Sequence, residues 1–303
     1  MASTGFERDS CMSVMTVNMY GSSIAWESRL DALSSEIRYW RPNVLCLQEV
    51  RFFDKTSTAR KLAKATNMRL VKETSIIMPG HDDPHGTAIL ISDDVKIISE
   101  SSLILPAPES KIGGATLTRA VLQTSSGRIW QIGTTHLDWG SHAESLRMSH
   151  MQEIVGHMQN PSMKDYVTVL AGDFNSLPTS PTVRYLTGEH IGEPATLWVD
   201  AWNVAGDGDG YTSHPANQWA AATAAEVGIP QPRLVPPRRI DYVMVQGFVH
   251  GRPGYPVHAY LTGVSKSSKI TPSDHYGVWV DLWDPPVHSE VHGRRVEDRG
   301  IVS

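Results

Sequence analysis

Short apolar runs rich in Val, Ile, Leu and Thr punctuate the chain at residues 14–19, 44–48, 87–91, 95–99, 117–123, 129–135, 167–171, 240–246 and 277–282. Their length and β-branched content predict strands. Two stretches instead show helical spacing. Leu30, Leu33, Ile37 and Trp40 recur every three or four positions, and Leu146, Met151, Ile154, Val155 and Met158 form a second stripe; each marks a helix face turned toward a core. A strand–helix–strand beginning gives way to consecutive strands in the middle. That order predicts an α/β protein of two packed sheets with flanking helices rather than a doubly wound parallel sheet.

The 303 residues are 40% hydrophobic and 19% charged, enough apolar material for a sizeable core. Length alone allows two domains at about 150 residues each. No Gly/Ser- or Pro-rich linker and no internal repeat divides the sequence, so one domain over residues 12–284 is expected, with residues 1–11 and 285–303 as terminal extensions. Residues 205–237, rich in Gly, Ala and Pro, read as a long functional loop, and those after Pro286 as a frayed end. The 27 Lys and Arg against 32 Asp and Glu give a net charge of −5. This lacks the basic balance of a dedicated nucleic-acid binder, although a local positive groove is compatible with it. Cys11 and Cys46 match no zinc or redox spacing and are expected as free thiols. No run approaches the ~18 apolar residues of a spanning helix and no signal-peptide pattern opens the chain, so a cytoplasmic protein is expected, with secretion as the alternative had a leader been removed; the sequence leaves the oligomeric state open, with a monomer favoured.

The chemistry lies where polar groups interrupt the apolar runs. Gln48 and Glu49 end one buried-type strand, Asp173 and Asn175 end another, Asn18 and His136 stand at the ends of two more, and Asp241 and Asp274-His275 precede the last two. Singly, each has an ordinary structural role: a strand-end hydrogen bonder, an Asx-turn, a partner for Arg51, Arg238 or Arg239. An ionised carboxylate buried alone costs several kcal/mol, so acids at strand ends face a cleft, a counter-charge or a metal. Brought together, these acids and imidazoles could hold a hard divalent cation and a phosphate.

In this order the segments Asn18, Leu47-Gln48-Glu49-Val50, Thr135-His136-Leu137, Gly172-Asp173-Phe174-Asn175, Arg239-Ile240-Asp241-Tyr242 and Ser273-Asp274-His275 resemble the endonuclease/exonuclease/phosphatase superfamily, with its deoxyribonuclease I-like fold. The likeness runs from about Val14 to Leu282. It implies a four-layer α/β-sandwich of two mostly antiparallel sheets packed face to face with helices outside. It also implies Mg²⁺ or Mn²⁺ held by Glu49 with Asn18 beside it and Asp274 completing the metal's surroundings. By the same resemblance, Asp173 is the base for an attacking water, Asn175 and His136 bond phosphate oxygens, His275 contacts the scissile phosphate, and Asp241 orients that imidazole. Arg147 matches a recurrent arginine and is equally readable as a structural ion pair.

The implied activity is metal-dependent phosphodiester hydrolysis on a phosphate ester such as DNA, RNA or an end adduct. Phosphomonoesters, lipid or small-molecule diesters, and an inactive binding module are the alternatives. Residues 135–139, 142–147 and 272–277 look like the tyrosyl-DNA phosphodiesterase branch, although Phe174 stands where that branch carries Thr. The residues before Asp241 lack the signature of the inositol-phosphatase branch. Trp139, Trp202, Tyr211, Arg119, Arg238 and Arg239 are candidates to line a nucleic-acid groove. Gly206-Asp-Gly-Asp-Gly210 lacks the strand-to-helix setting of a nucleotide loop, and His81-Asp-Asp-Pro-His85 reads as a solvated turn near the substrate cleft.

Overall fold

The computed structural model describes residues 10–53, 56–77, 84–105, 115–159, 166–226, 228, 235–247, 249–264 and 270–287. One sheet contains β1 (Cys11–Asn18), β2 (Val44–Phe53), β3 (Thr56–Ser57), β4 (Arg69–Ile77), β5 (Pro84–Ile91), β12 (Pro256–Thr262) and β13 (Gly277–Trp283). Its spatial order is β12, β13, β1, β2, β5, β4, with β3 paired to β2. The second sheet runs β10 (Trp198–Asp200), β11 (Asp241–Gln246), β9 (Val167–Asp173), β8 (Ile129–His136), β7 (Ala115–Gln123), β6 (Lys96–Leu105). All pairings are antiparallel except β1 with β2 and β8 with β9.

Three apolar clusters show the layering. Val14, Cys46, Ile89, Trp130, Ile132 and Val243 fill the space between the sheets. Leu30, Leu33 and Ile37 of α1 (Trp26–Trp40), with Leu62 of α2 (Thr58–Thr66), pack on the outer face of the seven-stranded sheet. Met151, Ile154 and Val155 of α3 (Glu144–Met158), with Val183 of α4 (Pro181–Leu186), cover the six-stranded one. The result is helices, sheet, sheet, helices, as the resemblance implies. Buried polar ties cross the central layer: the Gln48 amide donates to Thr16 Oγ1 at 3.0 Å and to Thr134 Oγ1 of the facing sheet at 2.9 Å, and the Thr87 hydroxyl of β5 lies 3.0 and 2.8 Å from those of Thr116 and Thr118 on β7.

Each apolar run read as a strand overlaps one, and both helical stripes lie on α1 and α3. The strands not foreseen, β4, β10 and β12, are sheet edges, apart from the two-residue β3. Residues 205–237 are not one plain loop: α5 (Ala201–Ala205) ends in this stretch and α6 (Ala220–Glu226) lies within it. Ser213 forms backbone bridges with Arg238 on one side and His275 on the other. The turn expected around His85 is likewise corrected, because Pro84 and His85 open β5 and pair with Ile77 and Ile76; His81, Asp82 and Asp83 lie outside the described residues. Both cysteines are free thiols, Cys46 fully buried. Burial pushes each up to about 12, with Asp281 and Asp284 adding to the shift at Cys11. At the pole where β1 begins and β13 ends, Asp284 N–H donates to the Ser10 carbonyl at 2.7 Å.

Candidate functional site

Strand direction decides where the site forms. The parallel pairs β1 with β2 and β8 with β9 bring Asn18, His136 and Asp173 at strand ends to one pole, with Glu49 inside β2, which continues to Phe53 instead of ending at Glu49 as expected, while the antiparallel β11 and β13 start there, bringing Asp241 and the Asp274-His275 pair. The register places His136 and Asp241 on either side of Asp173.

Local backbone irregularities then aim the side chains. Glu49 sits where the β2–β5 register slips between Leu47 and Val50, and its φ of 53° is left-handed. Bulges re-aim side chains in this way, and strained non-glycine residues gather at functional sites. Gly172 is required before Asp173, since its φ is +147° and a Cβ would lie 2.0 Å from the Thr135 carbonyl oxygen. Beyond it, Asp173 Oδ1 accepts the Asn175 N–H at 2.9 Å, and Asn175 itself is left-handed at φ 49°.

The two sheets meet at one carboxylate oxygen. Asp173 Oδ2 accepts the Asn18 amide at 3.0 Å, lies 3.5 Å from His136 Nε2 and 3.7 Å from His275 Nδ1. The same Asn18 amide nitrogen donates to Glu49 Oε1 at 2.9 Å, and Glu49 Oε2 accepts the Gly21 N–H at 2.6 Å. Asn175 Nδ2 donates to the Leu137 carbonyl at 2.9 Å and lies 3.1 Å from His136 Nε2. His275 Nδ1 lies 2.9 Å from Asp241 Oδ2. Asp274 accepts from Thr223 of α6 at 2.8 Å and from Ser273 at 3.2 Å. Asn18, Asp173 and Asp241 are each about 1% exposed.

Burial disfavours a charged imidazole at His275, yet the carboxylates of Asp241, Asp274 and Asp173 outweigh it and hold the ring protonated well above 6.5. Burial also pushes against ionised Glu49, but His136, the Gly21 N–H, the Asn18 amide and His275 keep it below the usual range. Burial raises Asp241, with Asp173 adding to the rise and His275 opposing it. Asp274 is pushed up to about 6 by burial, with the nearby Glu49 charge adding to the rise against the pull of His275.

Four carboxylates and two imidazoles converge, so the acids outnumber the bases even with both rings protonated. The Glu49 charge adds to the rise at Asp274, and a cation at this pole would relieve the excess of acids. Oxygen donors suit Mg²⁺ or Mn²⁺, and the residues fit such an ion. The tightest cluster among the described residues, however, is Asp173, Asp241 and His275, whose ligand-type atoms lie within 4.8 Å of one another. Asn18 is positioned as a clamp between the acids, its Oδ1 taken by the Tyr20 N–H at 2.9 Å.

The remaining residues named from sequence lie elsewhere or at the rim. Arg147 is buried and bonds Glu144 and the carbonyls of Asp138 and Gly140, the structural reading of that position. Arg119 bonds Gln131 and Ser101 on β8 and β6. Trp202 belongs to the core between the sheets, and Arg239 pairs with Asp200 at 2.5 Å. Trp139, 50% exposed just after the His136 strand, and Tyr211, 37% exposed, remain open to a ligand. Sequence reading missed Gly21, which acts through its backbone, and Thr212 and Thr223, whose hydroxyls support Asp241 and Asp274. The lone Thr in an Ala-rich run was the only trace of Thr223.

Helix-flanked paired sheets with this pole of acids and imidazoles define a deoxyribonuclease I-like protein. The chain belongs to the Endonuclease/Exonuclease/phosphatase family, whose family model matches residues 15–275. Among solved structures, Danio rerio TDP2 complexed with a single-strand DNA product aligns at TM-score 0.67 and 22% identity, covering 90% of this chain and 99% of that one. The human Nocturnin catalytic domain with a bound sulfate aligns at TM-score 0.64 and 19% identity, covering 91% and 94%. Protein angel of Drosophila melanogaster is 24% identical over 203 residues, 65% of this chain and 57% of that protein. Mouse Nocturnin is 23% identical over 209 residues, 67% and 47%. The chain thus spans about half the length of these curated relatives. Among the described residues, no helix is long and apolar enough to cross a membrane.

Proposed function

We propose that the protein is a Mg²⁺- or Mn²⁺-dependent phosphodiesterase acting on nucleic acid or its end adducts, with residues 12–284 as one catalytic unit. The observation that carries this reading is Asp173 Oδ2, shared between the Asn18 amide and two imidazoles at the junction of the sheets. An oxygen so placed can take the proton of a water attacking phosphorus in line with the departing ester oxygen. Asp241 occupies His275 Nδ1, which leaves Nε2 to donate to a non-bridging phosphate oxygen. His136 and the Asn175 amide supply further donors as charge grows on those oxygens. Glu49 and Asp274 would hold the cation, with Asn18 beside it bracing the Glu49 carboxylate, and when bound the ion neutralises charge on the phosphate and the leaving oxygen. Family membership and the DNA-bound TDP2 neighbour support the nucleic-acid class.

The test is turnover by the pure protein, with and without each metal, on plasmid DNA, 5′-tyrosyl oligonucleotides, sphingomyelin and simple phosphomonoesters. Asp173→Asn is expected to lower kcat by about 10²–10⁴ on the preferred diester, and Glu49→Gln to raise the metal concentration needed. Metal-independent turnover, or full activity in both variants, overturns the proposal; preference for sphingomyelin or a monoester reassigns the substrate.

A further inference from the structure

Next to the cluster around Asp173, with Asp274 and His275 as its shared edge, the described residues line an open pocket of about 90 Å³. One wall is the Ser213–Pro215 segment, another is α6 through Ala220, Thr223 and Ala224, and the third is Val235, Pro236 and Arg238. The backbone bridges from Ser213 to Arg238 and to His275 set these residues side by side, about two strand spacings or ~10 Å across.

Arg238 is the informative group. Its Nη2 donates to Ser213 Oγ at 3.3 Å, but its Nε–H is buried with no partner among the described residues. A buried donor from which nothing accepts is destabilising, which points to an acceptor supplied from outside. His214 adds a second donor: its Nδ1 accepts the Ala216 N–H at 3.0 Å, so in the neutral ring Nε2 carries the proton. The one acid lining the pocket, Asp274, has its oxygens engaged by Thr223 and Ser273. Pro215, Val235, Pro236 and Ala224 give low-dielectric walls, against which a charge-assisted bond is strengthened.

Size then chooses the ligand. Pockets for drug-sized molecules begin near ~300 Å³, and this smaller one is of the size of a tetrahedral oxyanion. A planar guanidinium matches the paired oxygens of such a group. We propose that this pocket is an accessory subsite for a second phosphate of the substrate, next along from the phosphate that is cleaved, and that Arg238 selects for it. The inference deepens the phosphodiesterase reading and rests on it. It implies a preference for substrates with a flanking phosphate over otherwise equal esters without one.

The experiment is calorimetric titration of the full chain, in Mg²⁺, with adenosine 3′,5′-bisphosphate and with adenosine 5′-monophosphate, alongside kcat/KM for a nucleotide diester with and without the flanking phosphate. The bisphosphate is expected to bind about tenfold or more tightly than the monophosphate, with the kcat/KM ratio following. Arg238→Gln should collapse both ratios to within about threefold, and Arg238→Lys, which keeps the charge and loses the fork, should fall between. Equal binding of the two ligands by the native protein overturns the subsite, as does an undiminished ratio in a folded Arg238→Gln or, should that variant not fold, in Arg238→Lys. Preference for the bisphosphate with no turnover of any diester would instead sink the catalytic reading and leave the phosphate pocket standing; turnover with unchanged ratios would do the reverse.

Discussion

Asp241 illustrates how one side chain can act through another. Its carboxylate, 2.9 Å from His275 Nδ1, is the largest of the attractions that offset burial of the charged ring. The sign follows: with its pKa raised, His275 stays protonated at neutral pH and loses its proton only in alkali. Removing the Asp241 charge leaves burial less opposed and lowers that pKa. The alkaline limb of the kcat/KM profile of Asp241→Asn should therefore move to lower pH by about one unit or more; an unmoved limb would mean that another group controls it. At this scale the sequence was informative because each strand-end polar residue is chemically out of place in an apolar run. Asn18, Glu49, His136, Asp173, Asn175, Asp241, Asp274 and His275 stood out on that ground. Gly21 did not, because a backbone N–H has no signature in side-chain chemistry.

The α3–α4 contact shows the same chemistry used for architecture. Glu144 Oε1 accepts both the N–H and the hydroxyl of Thr182 at 2.9 and 2.7 Å, while Oε2 accepts from Ser176 and Arg147. The acid thereby ties both helices to the residue that follows Asn175. Burial raises its pKa, but Thr182 and Arg147 outweigh that and bring it below 4.5. A depressed folded-state pKa stabilises fully above 4.5 and ceases to do so as pH falls through the folded value. Glu144→Gln should cost about 1–3 kcal/mol in urea unfolding at pH 7, and the gap to the native protein should narrow near pH 3. A gap of the same size in acid would show that packing rather than charge is responsible. Elements were legible where one face is apolar and continuous, as in α1, α3 and the central strands. The edge strands escaped because half their surface faces water: β4 carries Lys72, Glu73, Thr74 and Ser75 in succession, and β12 begins at a proline. The short helices carried readable start signals, Ser57 capping α2 and Pro181 opening α4, with too few apolar positions to form a stripe.

Across the whole molecule, the sandwich is two sheets sealed by hydrocarbon and pinned by buried polar ties, the Gln48 amide among them. Gln48→Leu would leave the buried hydroxyls of Thr16 and Thr134 without that partner. A loss of about 1–3 kcal/mol in unfolding free energy is expected with the denaturant slope unchanged; a neutral effect would show that the hydroxyls find other partners. The pairing of the two sheets was legible through the order of the motifs, while the placement of α6 over the Asp274 rim was not, because it depends on long-range bonds, Thr223 to Asp274 and Tyr20 and Ser22 to Glu226. The junction of Ser10 with Asp284 has a practical outcome. Ser10 and Asp284 share the end of the sandwich remote from Asp173, so a tether attached at either residue would leave the pole of Asn18, Asp173 and His275 facing away from its support.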